Sequence, residues 1–286
     1  MIVAVASGKG GTGKTTVAVN LARIWGEVTL LDCDVEEPNT HLFLTGGSGG
    51  TSETFSIPVP EVNDTRCDGC GLCAQFCEFK ALAVVGKRVL VFPELCKSCG
   101  GCLLVCPQGA IREVPRRIGV VKTSRIGDVE LVEGRLDIGV TEAPPLIDAV
   151  RAKIRPGGDA ILDAPPGTSC PVVATLRQTD YVVLVTEPTP FGLNDLRLAV
   201  ALVRELNLPF GVVINRADAG DGRVQAYCLG EGIAILAEIP EDRRIAEAYS
   251  RGALVVDALP DYRASFETLH RIIAEQVSAA KVRRRP

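Results

Sequence analysis

Eight of the eleven cysteines fall in two runs of one spacing, Cys67-x2-Cys70-x2-Cys73-x3-Cys77 and Cys96-x2-Cys99-x2-Cys102-x3-Cys106-Pro107. Thiolates are soft ligands, and a three-residue step lets one tight loop present several sulfurs to a single metal centre. Zinc also uses Cys-x2-Cys pairs, but two such runs exceed what a zinc ribbon needs, and they read as ligands of two [4Fe–4S] clusters. Gly71, Gly100 and Gly101 remove bulk where the loops must wrap tightly, and Ile57, Val84, Val91 and Ile111 are available to cover the sulfurs.

A second chemistry stands at the other end of the sequence, in Gly8-Lys9-Gly10-Gly11-Thr12-Gly13-Lys14-Thr15-Thr16. A backbone that wraps phosphate oxygens needs residues without Cβ, so that successive N–H groups point inward, and then a helix N-terminus to complete the positive end. Gly8, Gly10, Gly11 and Gly13 meet the first need. Thr12 and Thr16 flank the cradle, Lys14 reaches the β phosphate of ATP or ADP and the γ phosphate of ATP, and the Thr15 hydroxyl holds Mg²⁺. Asp34 and Asp163 follow apolar runs; either alone would be as well explained by helix capping, and both together with the loop read as site residues.

Elements must position these groups. Short β-branched runs at 2–6, 28–32, 160–163, 181–186, 211–214 and 234–238 alternate with helical patterns at 14–24, 144–153, 170–178, 191–206, 222–230 and 242–248. That rhythm predicts an α/β fold, a mainly parallel sheet flanked by helices. A last helix over 262–281 places Phe266, Leu269, Ile273 and Val277 on one face, which docks on the core.

The rhythm breaks after the second strand, where the glycine-rich residues 46–52 signal flexible or tightly turning backbone. The cysteine runs follow, and 118–132 reads as a hairpin leading back to the sheet. The expected division is a nucleotide domain of residues 1–56 and 115–286 interrupted by an inserted α+β unit of residues 57–114. The repeated cysteine spacing predicts pseudo-twofold symmetry within that unit.

Gly8-Lys9-Gly10-Gly11-Thr12-Gly13-Lys14-Thr15 resembles the deviant phosphate loop of the MinD/ParA/Mrp superfamily of ATPases, and the resemblance extends across the sequence outside the cysteine unit. It implies that Lys9 reaches the nucleotide of a facing subunit. It further implies that Asp34 orients the attacking water, that Asp163 contacts Mg²⁺ through water, that Asn215 reads adenine, and that Pro240 packs near the base. ATP would then clamp two subunits together, as a homodimer or as a heterodimer with a paralogue, and hydrolysis would release them. The cysteine runs resemble two-cluster bacterial ferredoxins, which implies crossed ligation: Cys67, Cys70, Cys73 and Cys106 for one cluster, Cys96, Cys99, Cys102 and Cys77 for the other. Glu78 departs from the proline that ferredoxins commonly place after that cysteine.

With 286 residues, 47% hydrophobic, the chain can bury a full core, and a net charge of −4 gives no overall attraction to nucleic acid or anionic lipid. No apolar stretch reaches the ~20 residues of a membrane span. The start of the chain runs directly into the phosphate loop without a leader, so the expected location is the cytoplasm, where cysteines stay reduced. Cys33 and Cys228 read as buried small residues. Cys170 reads as a helix-opening residue, with ligation or redox sensing in a dimer as the alternative. The basic residues 281–285 read as a solvated tail, with a membrane surface as the alternative. Three functions stay open: an ATP-gated electron carrier serving a redox partner protein, cluster delivery of the Mrp type to an apo-acceptor, and MinD-like positioning with the clusters as sensors.

Overall fold

The computed structural model describes residues 1–45 and 47–283. In chain order the elements are β1 (Ile2–Ala6), α1 (Lys14–Trp25), β2 (Val28–Asp32), β3 (Ser48–Val62), α2 (Leu72–Phe76), β4 (Leu82–Val85), β5 (Arg88–Val91), α3 (Gly101–Leu104), β6 (Ile111–Ile126) and β7 (Val129–Leu136). They continue with α4 (Ala143–Arg151), β8 (Ala160–Asp163), α5 (Cys170–Leu176), β9 (Tyr181–Thr186), α6 (Pro190–Glu205), β10 (Phe210–Asn215), α7 (Arg223–Gly230), β11 (Ile235–Ile239), α8 (Arg243–Ser250), α9 (Val255–Ala258) and α10 (Pro260–Arg283).

Among the described residues the main sheet has nine strands in the order β11-β10-β9-β1-β8-β2-β7-β6-β3. The strands from β11 to β7 run parallel, and β6 and β3 add an antiparallel edge. Every residue of β2, β8 and β9 is buried, as expected of strands covered on both faces. Alternate residues of β1 serve opposite layers: Ala4 packs with Leu146, Ile147, Leu196 and Val200 under α4 and α6, while Val3 and Val5 pack with Val17 and Leu21 under α1. The second layer is closed by α10, whose Phe266, Leu269, Ile273 and Val277 are each 3% exposed or less, so the last helix docks on the core as its periodicity implied. Burying each of these side chains is worth about 1.5–3 kcal/mol. No helix among the described residues is long and apolar enough to cross a membrane. Of the basic residues 281–285, the first three continue α10 to Arg283 and the last two lie outside the described residues.

The glycine-rich segment differs from its expected turn. Gly49 and Gly50 lie inside β3, at an irregularity where the pairing moves from Ser48↔Arg125 to Thr51↔Thr123. A Cβ on Gly50 would come within 3.3 Å of the Thr123 carbonyl oxygen, so glycine here permits close strand approach at a bulge. β3 and β6 pair from Ser48↔Arg125 out to Val62↔Ile111, whereas β6 pairs with β7 only between Gly119↔Leu136 and Ile126↔Val129. Beyond Phe55↔Gly119 the two strands therefore continue as a two-stranded ribbon with no third strand beside it, through residues 56–57 and 114–115, with Ile57 and Val59 still buried. It projects about 20 Å past the carboxyl end of the parallel strands.

The ribbon carries the cysteine unit at its tip. There α2, the β4–β5 hairpin and α3 repeat one backbone pattern at an offset of 29 residues: left-handed Gly71 and Gly100 (φ 80° and 69°) open the two short helices, and left-handed Lys80 and Gly109 (both φ 54°) follow the fourth cysteine of each run. The layer under α4 continues without a break through Ile118, Ile57 and Val59 to Cys73, Cys96 and Cys102.

Candidate functional site

The phosphate loop connects β1 to α1. Gly13 is left-handed (φ 93°), and its carbonyl accepts the first helical hydrogen bond from the Val17 N–H at 3.0 Å. A Cβ on Gly10 or Gly11 would meet nothing within 4 Å, so packing does not demand glycine there; Gly11 is left-handed (φ 78°), and the open backbone leaves room for a phosphate to approach. Gly8 is different, because a Cβ would overlap the Asp195 carbonyl in α6.

Lys14 is buried beside Asp32, Asp34 and Asp163, which converge from the carboxyl ends of β2 and β8. Burial pushes the Lys14 ammonium below its ordinary pKa, and the three carboxylates oppose that shift. Asp34 is pushed up to about 6, first by burial, with Lys14 pulling it back. Burial raises both Asp32 and Asp163; the charge of Glu133 adds to the first shift and that of Asp32 to the second, while the Thr15 side chain opposes the rise of Asp163. Asp163 Oδ1 and Thr12 Oγ1 are buried without a hydrogen-bond partner. Three desolvated carboxylates with one such orphaned oxygen, a hydroxyl and an ammonium suit a hydrated divalent cation and the phosphates it accompanies.

Asn215 ends β10 and donates its amide to the Thr12 carbonyl at 2.9 Å, which brings the expected base-reading residue against the phosphate loop. Pro240 lies just past β11, whose Ile239 is in register with Asn215; the next N–H, of Glu241, donates to Asp218 at 2.6 Å. Lys9 is not free: its Nζ stands 3.5 Å from Glu187 Oε2, and the other oxygen of Glu187 is 3.3 Å from Arg216. Thr16 lies in the first turn of α1, and its carbonyl accepts from Asn20 at 2.8 Å.

Sequence reasoning gave Asp32 no role of its own and missed Glu187. Asp32 accepts from the N–H groups of Asn39 and Thr40 and from the Thr40 hydroxyl, and so pins the loop carrying Asp34. Glu187 follows the fully buried β9 at the carboxyl end of the sheet, the end where ligands of open α/β sheets bind; that position was the available signal.

In the cysteine unit one cavity is lined by Cys67, Cys70, Cys73 and Cys106, with Leu72 and Ile111. A second is lined by Cys77, Cys96, Cys99 and Cys102, with Phe76 and Leu82. Each cavity thus takes three thiols from one run and the fourth from the other. Backbone N–H groups of Ala81, Ser98 and Ala110 point at the sulfurs of Cys77, Cys96 and Cys106 at 3.3, 3.4 and 3.3 Å. Gly101 admits the Phe76 ring where a Cβ would overlap it. Burial raises the thiols of Cys73 and Cys96, and that of Cys102 to about 11, so metal binding here must displace protons. Among the described residues no three His, Cys, Asp or Glu side chains gather closely enough for a single ion. A cubane carries one thiolate on each of four irons and needs a wider arrangement than the ~2.3 Å bonds around one zinc. All eight cysteines are free, the two cavities have apolar walls, and donors are aimed at three of the sulfurs, a thiol set whose chemistry suits that wider group. Cys33 and Cys228 are buried, and Cys170 is exposed at the start of α5.

Residues 3–255 match the family model described as the CobQ/CobB/MinD/ParA nucleotide binding domain. An uncharacterised protein of Methanocaldococcus jannaschii is 33% identical over 264 residues, covering 88% of this chain and 90% of that one. A protein of Pyrococcus furiosus named iron-sulfur cluster carrier protein is 26% identical over 274 residues, covering 89% of this chain and 78% of that one. Among solved structures, the septum site-determining protein MinD of Pyrococcus horikoshii, complexed with Mg-ADP, superposes with a TM-score of 0.58 at 19% identity, covering 98% of each chain.

Proposed function

The chain belongs to the CobQ/CobB/MinD/ParA nucleotide-binding domain family, and from that premise we propose that it hydrolyses ATP as a dimer, and that nucleotide binding gates electron transfer through two [4Fe–4S] clusters in the cysteine unit. In this reading the phosphate loop binds the β and γ phosphates through its N–H groups and Lys14. Thr15 and Asp163 hold the hydrated Mg²⁺, Asp34 orients the attacking water, and Asn215 and Pro240 border the base. Lys9 leaves Glu187 to neutralise the phosphoryl group bound by the facing subunit. A cation supplied across an interface contributes ~10³–10⁵ in rate.

When bound, each cluster supplies one-electron storage and transfer. The chain's own residues hold it: Cys67, Cys70, Cys73 and Cys106 for one, Cys77, Cys96, Cys99 and Cys102 for the other. The N–H groups on three of the sulfurs, and the low exposure of Cys73, Cys96 and Cys102 (6–8%), favour retained clusters. The observation that carries the proposal is the ribbon, which puts both four-cysteine cavities at the same end of the sheet as the phosphate loop.

Protein purified without oxygen should contain about eight irons and eight sulfides per chain. Its reduced electron paramagnetic resonance spectrum or its potentials should shift when Mg²⁺ and a non-hydrolysable ATP analogue are added. Cluster-loaded dimer that binds the analogue with no change in spectrum, potential or transfer rate defeats the gating. The name of the Pyrococcus furiosus relative, together with exposed Cys70 and Cys99, favours cluster delivery as a second reading. It requires iron loss from this chain to match activation of an apo-acceptor.

A further inference from the structure

Glu142 is a buried carboxylate, 5% exposed, that neither the nucleotide site nor the cysteine cavities use. It immediately precedes α4 and reaches into the cysteine unit: its Oε1 accepts from Lys97 Nζ at 3.0 Å and from the Thr141 hydroxyl at 3.4 Å, and Arg116 stands 3.9 Å from its Oε2. Lys97 is the residue after Cys96. Arg116, in the ribbon strand β6, also donates to the Pro93 carbonyl at 2.8 Å, in the turn that leads into Cys96. One carboxylate of the main domain therefore fixes both approaches to Cys96.

The other end of α4 is tied to α5. Arg151 donates to the Ala174 carbonyl at 2.5 Å and to the Arg177 carbonyl, and Arg177 pairs with Asp148. α5 in turn follows the segment that begins at Asp163, where the Gly167 N–H donates to the Ser7 carbonyl at 3.0 Å at the mouth of the phosphate loop. A displacement of residues 163–169 can thus reach Cys96 through two helices bound side by side and an ion pair in which Glu142 is buried and Lys97 is 44% exposed.

We propose that Glu142, Lys97 and Arg116 form a latch through which the nucleotide-facing segment 163–169 sets the conformation of the Cys96 loop. This rests on the ATP-gated reading above and names the residues that transmit the gate. Glu142 and Lys97 are positioning residues: they touch neither nucleotide nor cluster atoms, and act by holding the loop that presents Cys96, Cys99 and Cys102. Removing Lys97 alone leaves the buried Glu142 carboxylate with only the more distant Arg116, at 3.9 Å, to offset its charge, and such a loss is costly.

Hydrogen–deuterium exchange of the full chain, purified anaerobically, tests the latch with Mg²⁺ and a non-hydrolysable ATP analogue. The wild type should change its exchange by about 5-fold or more, a usual size for coupled sites, both at 163–169 and at 96–104. Glu142→Gln, Lys97→Gln and the double variant should keep the response at 163–169 and lose most of it at 96–104. The double variant should lose no more than either single one, the signature of one shared interaction. If all three variants respond at 96–104 as the wild type does, or if the single losses add, the latch is overturned while the gating stands. If the wild type responds at 163–169 and not at 96–104, both fall.

Discussion

Lys9 and Glu187 form an ion pair within one subunit, Nζ to Oε2 at 3.5 Å, and Arg216 shares the same carboxylate. The lysine expected to act on a facing subunit is thus held at home by a side chain only 10% exposed. In the proposed dimer, closure breaks this contact, and a buried carboxylate losing a cation opposes that step. Glu187→Gln should therefore lower the protein concentration at which ATP produces dimers, read by sedimentation or light scattering. Lys9→Ala should bind ADP nearly as the wild type does and lose hydrolysis by about 10³-fold. Unchanged dimerisation in Glu187→Gln would show that the pair exerts no restraint.

The carboxylates around Lys14 give the ligand-free chain a characteristic pH dependence. Asp34 is raised from 3.8 to about 6, and Asp32 and Asp163 are raised as well. The folded state therefore binds more protons than the unfolded one in the window above the unfolded values. These groups favour the fold most at acid pH, and that contribution is lost as pH rises through about 6. Mg²⁺ with ADP compensates the same charges. The melting-temperature gain from Mg²⁺ and ADP should be larger at about pH 7.5 than at about pH 5. Asp163→Asn should raise the ligand-free melting temperature while cutting that gain. A gain independent of pH would contradict this account.

Asn215 and Gly13 are mutually fitted, since a Cβ on Gly13 would come 2.5 Å from Asn215 Nδ2 while that amide holds the Thr12 carbonyl. Gly13→Ala is strained twice, by its left-handed backbone and by this contact, and should abolish nucleotide binding in equilibrium dialysis. Asn215→Ala removes one hydrogen bond worth about 1 kcal/mol and the proposed base contact. It should weaken ATP more than it weakens tripolyphosphate. Equal weakening of both would confine Asn215 to shaping the loop.

How much was legible in the sequence follows from how local each signal is. The phosphate loop and the cysteine runs stand out because their spacing is set within a few residues, and the parallel sheet was readable because β2, β8 and β9 are short, mostly apolar runs buried along their whole length. The last helix was readable from its buried face. Gly49 and Gly50 misled, because glycine serves close strand approach as well as turns, and only pairing with Thr123 distinguishes the two. Glu187 and Glu142 were invisible for a different reason. Their partners lie far away in sequence, Lys9 for one and Lys97 for the other, and an ion pair between distant segments leaves no periodic trace.

Cys77 belongs to the first run by sequence and to the second cavity by position, and Cys106 the reverse. Paired substitutions separate the two groupings. Cys77→Ala with Cys96→Ala removes two thiols from one cavity and leaves the other complete, so about four of about eight irons should remain. Cys77→Ala with Cys73→Ala takes one thiol from each cavity, although both residues sit in the same run, and both clusters should become labile. Anaerobic iron and sulfide analysis after gel filtration distinguishes these results, and electron paramagnetic resonance identifies which signal survives. Iron loss that follows the runs in sequence, with the Cys73 and Cys77 pair sparing one cluster, would overturn the crossed arrangement and with it the assignment of the two cavities.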